Sequence, residues 1–478
     1  MKDYSGYSFW LANSGDDLTP RPPLEGSIQV DVAILGAGFT GLWTAYHLLE
    51  REPLLNVVVL EKEIAGFGAS GRNGGWCFAG FPYPPEKLTA RYGRDAARAV
   101  SLAMYDTVDD VGRVCELEGI DAHYAKGGEL EIARADYDLP MLEEMYQEYR
   151  AIGLEDHYQL LDAAQTEKRM RVSGAVGSFW NKEGAAIQPA RLARGLARAV
   201  ERHGGTIYEQ TEVTDFVPGP LPRLDTARGN VSAKTIVLAG EAYLSQLPKL
   251  RRRIIPATSH IVITEPLSDD LWHEIGWERR EVVGGFGTTG AYLNHTADGR
   301  IAFGPYRGKY PFNSNITDSI NLREDVFEHG RRSALEWFPM LQRAGVKFTH
   351  SWGGVFGVPR DHMPIMRYDR SSGVAMGYGY SGEGVATANL SGRVLADLIT
   401  ERDTDLTHLP MTRHEPVDWE PEPIRWMGFS MVRRGRYKAN EEVERTGKYP
   451  EKPTISQRLW SFEPPRAWKS LWRMGAGR

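Results

Sequence analysis

An α/β fold, with a parallel nucleotide-binding sheet and a separate antiparallel one, is predicted by three stretches of this 478-residue chain. The first is residues 28–62. There an apolar run ends at Leu35, Gly36-Ala37-Gly38-Phe39-Thr40-Gly41 follows, a periodic segment reaches Arg51, and Val57 to Leu60 lead to Glu61. The second is a glycine-rich stretch, residues 66–75. The third is a set of short apolar runs at Ile261-Val262-Ile263, Ala291-Tyr292-Leu293 and Arg300-Ile301-Ala302-Phe303, which reads as antiparallel strands.

In the first stretch the run to Leu35 reads as a buried parallel strand. Thr40 to Arg51 reads as a helix with Leu42, Ala45, Leu48 and Leu49 on one face. Gly36 makes the tight turn, Gly38 lets a pyrophosphate approach the backbone, and Gly41 lets the helix pack on the strand. The helix N-terminus offers free N–H groups and a favourable dipole to phosphates. Glu61 stands 20 residues past Gly41, where a carboxylate accepts from ribose hydroxyls. Strand, turn, helix, strand and acid in register make this a Rossmann-type dinucleotide unit.

Five glycines in residues 66–75 rule out a packed helix or strand there. Following a nucleotide strand, this loop is read as a backbone wall against the rest of the cofactor, with Arg72 available to a phosphate. Further on, Pro189 opens a helix to about His203, Thr206 to Val217 return as strand, and Thr235 to Ala239 read as a buried strand. Lys126 to Ala133 read as a turn followed by an alternating strand, within a region whose Ala97, Val100, Met104 and Val108 recur at helical spacing.

These motifs, in this order, resemble the FAD-dependent D-amino-acid oxidase superfamily, most of all its gamma-glutamylputrescine oxidase-like branch. The resemblance runs through Gly36 to Gly41, Glu61-Lys62, and Gly68-Ala69-Ser70-Gly71-Arg72-Asn73-Gly74-Gly75. It continues through Ile187 to Leu192, Thr235 to Tyr243 with Gly240, Thr264 to Leu267 and Trp352-Gly353-Gly354. Asp361 with Pro364, and Gly379-Tyr380-Ser381-Gly382-Glu383-Gly384-Val385, complete it. It implies bound FAD and an antiparallel-sheet substrate domain of glutathione-reductase-2 type that roofs the flavin. It further implies that Val213 lies against the adenine, and that the helix after Gly382 points at the flavin or its ribityl chain. The implied chemistry is oxidation of a C–N bond, with the amine carbon near flavin N5 passing a hydride and the imine then hydrolysed.

Departures from that pattern carry the specificity. Many relatives have His where this chain has Glu383, an acid suited to a cationic substrate. Arg360 stands where many have Thr or Ser; it could clamp a substrate anion bidentately or pair with Asp361. Arg307 is a second candidate clamp, and Trp352 is placed with these as a catalytic-site candidate. A γ-glutamylated amine would match an acid at one end and arginines at the other. Neither Cys77 nor Cys115 falls where flavin could be attached, so non-covalent FAD is expected. Two runner-up readings are an NADPH-using flavin monooxygenase, disfavoured because the second glycine motif at Gly377 to Gly382 is followed by neither a second strand nor a ribose acid, and an FAD-bound protein without catalysis. Oxidase versus dehydrogenase, with O2 or another acceptor, is also open.

The motif order makes the FAD-binding domain discontinuous, over residues 26–90, 175–250 and 350–400. The substrate domain takes 91–174 and 251–349, and residues 1–25 form a lead-in arm. Residues 401–478 are a basic, tryptophan-rich extension. From Arg425 onward there are 13 Lys and Arg against 5 Asp and Glu, within a net charge of −6 for the whole chain. Interleaved with Trp426, Trp460, Trp468 and Trp472, this tail could suggest nucleic acid or an anionic membrane. Pro450, Pro453, Pro464 and Pro465 would break a long amphipathic helix, which favours packing on the acidic body or a second copy of the chain. No nucleic-acid partner and no metal site is expected. Two cysteines and no signal-peptide or transmembrane run point to a cytoplasmic protein.

Overall fold

Val32, Ile34, Val57 and Val59 alternate with further apolar residues, so both faces of their strands need cover. The computed structural model describes residues 2–287, 290–448 and 455, and supplies that cover. Parallel strands run in the order Val374–Tyr378, Gly229–Leu238, Ile28–Leu35, Val57–Leu60 and Thr206–Tyr208. Ile365–Asp369 closes one edge antiparallel, and a ribbon of Val213–Val217 with Arg223–Thr226 leaves the central strand. Helices Phe39–Arg51, Pro189–Arg202 and Gly384–Ile399 pack into one core on this sheet.

The second sheet has eight strands: Phe348–Val358, Ile255–Thr264, Ile301–Pro305, Ala291–His295, Val282–Gly285, Glu129–Ala133, Gly177–Asn181 and Tyr158–Asp162. All neighbours are antiparallel except Val282–Gly285 with Glu129–Ala133. Leu130, Ile132, Val283, Leu293 and Phe303 form its apolar face with Trp337, from helix Glu324–Trp337. Because side chains alternate along a strand, the opposite face carries Glu129 and Glu131.

Two segment assignments change. Strands Gly177–Asn181 and Phe348–Val358 belong to the second sheet, not to the nucleotide domain. Helix Arg94–Leu117, expected with the substrate domain, buries Val100, Met104 and Val108 in the same core as Trp43 and Leu390. Its apolar stripe was legible in sequence; which layer that stripe meets depends on contacts far along the chain.

The lead-in arm is a brace. Phe9 and Trp10 are buried, Trp10 Nε1 donates to Asn73 O at 2.7 Å, and Ser8 Oγ donates to Gly71 O at 2.7 Å. At the other end, helix Ile424–Thr446 lies on the body, with Arg433 donating to Gly308 O at 2.9 Å. Trp426 meets Phe312 edge-on. Trp460, Trp468, Trp472 and the four prolines of the tail lie outside the described residues. Among the described residues no helix is long and apolar enough to cross a membrane.

Candidate active site

A cavity of about 1040 Å³ runs from the glycine turn of the parallel sheet to the polar face of the second sheet. Gly36, Gly38, Phe39, Thr40, Glu61, Lys62, Gly68, Ala69, Ser70, Arg72, Asn73, Gly74, Val213 and Gly240 line one part of it. Gly382, Glu383, Gly384 and Val385 enter from the N-terminus of the last core helix. Gly41, Gly71, Gly75 and Gly379 stand behind the wall. They allow its close packing without facing the cavity; the Gly379 N–H, for example, donates to Glu241 at 3.0 Å.

Local hydrogen bonds hold these parts together. Ser70 Oγ accepts from Phe39 N at 2.8 Å, tying the glycine-rich loop to the helix start. Thr40 and Tyr380 share a hydroxyl hydrogen bond of 2.9 Å, which couples the two helix N-termini. Glu241 accepts from the N–H groups of Gly357, Gly379 and Tyr380 at 2.5, 3.0 and 3.1 Å, joining both sheets beneath the cavity. The sequence reading did not single out this glutamate.

Glu61 accepts from Ala37 N at 2.8 Å and Glu63 N at 3.0 Å, and burial pushes its carboxyl up to about 7. Each oxygen keeps a lone pair for a further donor. Arg72 is 3% exposed; its guanidinium lies over the Phe67 ring at 4.1 Å, and its buried Nε and Nη2 have no hydrogen-bond partner. A buried guanidinium with open donors on a cavity calls for an acceptor-rich ligand. Glycine turn, ribose-side acid and orphaned arginine together fit an FAD molecule.

Glu383 lines the cavity. Its Oε2 is buried without a partner, and burial, with Glu129 adding to it, pushes the carboxyl up to about 8. Beside it lie Glu129 and Glu131, which sequence reasoning missed. Glu129 accepts from Asn181 Nδ2 at 2.9 Å, and burial raises its carboxyl to about 7. Glu131 is raised well above the usual carboxylate range, by burial first and then by Glu129 and Glu383. Tyr149, Phe179, Tyr292 and Tyr306 supply aromatic walls.

Three candidates stand elsewhere. Arg360 does not line the cavity: it pairs with Glu420 at 3.1 Å and lies over Trp419 at 5.2 Å. It does not take up Asp361, which pairs with His414 at 2.9 Å and Arg91 at 3.6 Å. Arg307 packs over Tyr437 of the C-terminal helix at 5.2 Å, outside the cavity lining. Trp352 supports the site from behind, donating to Arg72 O at 2.9 Å while stacking with Phe9. The two arginines were drawn away by acids and aromatics of residues 419–437, contacts that local sequence does not display. Arg360→Glu is therefore expected to lower the melting temperature, at a cost of about 1 kcal/mol for a partly exposed pair. KM for acidic and neutral amines should change alike; a selective rise for acidic amines would return Arg360 to the substrate.

A family model described as FAD dependent oxidoreductase (DAO) matches residues 31–398. The chain belongs to this family of FAD-dependent oxidoreductases. Gamma-glutamylputrescine oxidoreductase of Escherichia coli (strain K12) is 32% identical over 409 residues, covering 84% of this chain and 92% of that protein. Glycine oxidase of Geobacillus kaustophilus is 24% identical over 398 residues, or 81% of this chain and 97% of that protein. Among solved structures, L-proline dehydrogenase from P. horikoshii has the same fold. Its TM-score is 0.65 at 20% identity, over 81% of this chain and 96% of that one. FAD is thus the cofactor, and this FAD-dependent oxidoreductase is an enzyme.

Proposed function

We propose that this chain oxidises the C–N bond of a small cationic amine. The carrying observation is Glu383: a half-buried side chain on the cavity wall whose Oε2 is buried without a partner, at the N-terminus of the helix that closes the FAD site. Bound FAD supplies the two-electron acceptor, and water hydrolyses the imine product.

The chain's own residues bind, orient and deprotonate. In its ionised form, which a nearby ammonium ion stabilises against burial, Glu383 attracts the ammonium group, while Tyr292 and Tyr306 flank the alkyl chain and keep water off it. The amine must be neutral to react, and the ionised form of Glu383 can take its proton. Transfer from an alkylammonium, with a pKa of about 10.4, is uphill by about two units, so the neutral amine forms in a minor but accessible fraction. A γ-glutamylated amine, the substrate of the Escherichia coli relative by its name, loses here the anion clamp expected of Arg360 and Arg307. The acidic cavity favours amines without a carboxylate.

Anaerobic mixing of the FAD-saturated protein with a panel of amines tests the reaction. Bleaching of the flavin by an amine alone is the expected result. Bleaching only by NADPH would favour the monooxygenase reading, and no bleaching would favour the non-catalytic one. FAD should also leave the protein intact on acid precipitation. Both cysteines are buried, and neither lines the cavity. Flavin remaining on the precipitated chain would overturn non-covalent binding.

A further inference from the structure

Nine acidic side chains line the cavity against two basic ones, Lys62 and Arg72, and neither base lies beside Glu129, Glu131 or Glu383. Lys62 pairs with Glu212 at 2.7 Å beside the nucleotide strand, and Arg72 is held over Phe67 and Tyr7. The acids at the second sheet are built in by the strands themselves. Glu129 and Glu131 share one face of Glu129–Ala133, whose other face is the apolar core. Glu131 lies opposite Gly284, and a Cβ on Gly284 would fall 1.9 Å from Glu131 Oε1. A side chain there would displace the carboxyl from the cavity; glycine leaves it in place. Gly304 does the same for the Tyr292 ring, which a Cβ would meet at 2.0 Å.

We infer, resting on the amine-oxidation reading above, that Glu129 and Glu131 form a second cation subsite beside Glu383, and that the substrate is a linear amine with at least two ammonium groups, a diamine or polyamine. One ammonium ion neutralises one carboxylate; three carboxyls on one cavity wall around one cation would leave uncompensated charge or bound protons. Two or more cations, spaced by methylene segments lying on Tyr149, Phe179, Tyr292 and Tyr306, match both the acids and the apolar walls between them. Glu148, farther along the wall on helix Leu139–Ala151, continues the acidic track. A metal ion is the competing occupant of such a cluster. Among the described residues, no three acidic, histidine or cysteine side chains converge closely enough to ligate one.

Dithionite-reduced, FAD-loaded protein under argon oxidises no amine, so binding can be measured without turnover. Calorimetric titration with 1,4-diaminobutane, n-butylamine and 4-aminobutanoate should give about tenfold tighter binding of the diamine than of butylamine, with the amino acid weakest. Glu131→Gln keeps the side chain's size over Gly284 and should remove most of that gap. Equal affinity for diamine and monoamine in the parent overturns the inference, as does a gap unchanged in Glu131→Gln and Glu129→Gln alike. Should Glu131→Gln fail to retain FAD, the parent ratio and Glu129→Gln still decide. Amine bleaching of the oxidised enzyme, run alongside, separates the two levels. Bleaching without a diamine preference sinks only the second subsite, and bleaching by no amine removes the reading beneath it.

Discussion

Gly41→Ala is expected to yield a protein that retains no FAD and is destabilised by about 3 kcal/mol, the upper end for an inserted methyl group. Two effects oppose each other at this position. Gly41 lies in helix Phe39–Arg51, where alanine is intrinsically better by about 1 kcal/mol. Against that, the new Cβ would fall 1.9 Å from Gly36 O and 3.2 Å from the Ile34 side chain. The obstructing atom is the backbone carbonyl of the glycine turn, so relief requires moving the very loop that faces the cofactor. Steric overlap should win. Gly428→Ala provides the matched control, because a Cβ on that helical glycine would meet nothing within 4 Å and the variant should gain up to about 1 kcal/mol. Thermal melting and the flavin content of purified protein read both. An FAD-replete, equally stable Gly41→Ala would show that the turn yields more readily than its geometry implies.

The contrast between these glycines also shows what the sequence displays. The dinucleotide unit was legible because its signals are local: strand, turn, helix and acid fall within residues 28–62, and each residue type has one physical task. Glu383 was singled out because the family resemblance puts His at that position; its place at a helix start equally suits a plain surface carboxylate. Glu129 and Glu131 were not. Their alternation with Leu130 and Ile132 announces a strand with one polar face, but solvent and a cavity demand the same pattern. Only the pairing with Val282–Gly285, about 150 residues later, turns that face inward. Arg360 shows the converse error. Asp361 is its neighbour in sequence, yet it pairs with Glu420, 60 residues on. The brace made by Trp10 was missed because residues 1–25 read as polar and proline-rich; a short helix of one turn leaves too little periodicity to register.

The last expected result concerns pH. Glu383→Gln should melt at the same temperature as the parent near pH 4 and at a higher temperature at pH 8.5, both saturated with FAD. In the unfolded chain this carboxyl ionises near its ordinary value of 4.5, whereas in the folded protein burial and Glu129 raise it to about 8. Between those values the native state binds more protons than the unfolded state, so stability falls as pH rises. Below the unfolded value the side chain is a neutral acid in both states and costs nothing that glutamine does not. Above the folded value it is an anion whose buried Oε2 has no partner. The full shift corresponds to roughly 5 kcal/mol; partial solvent access and relaxation bring the expected gain at pH 8.5 to about 2–3 kcal/mol. A diamine added to the parent at pH 8.5 should recover part of that difference by supplying the missing cation, and should do little for Glu383→Gln. Parallel melting curves for the two proteins from pH 4 to pH 8.5 would mean that Glu383 is solvated or already paired in solution, and the attraction of a cationic substrate would then have to come from Glu129 and Glu131 alone.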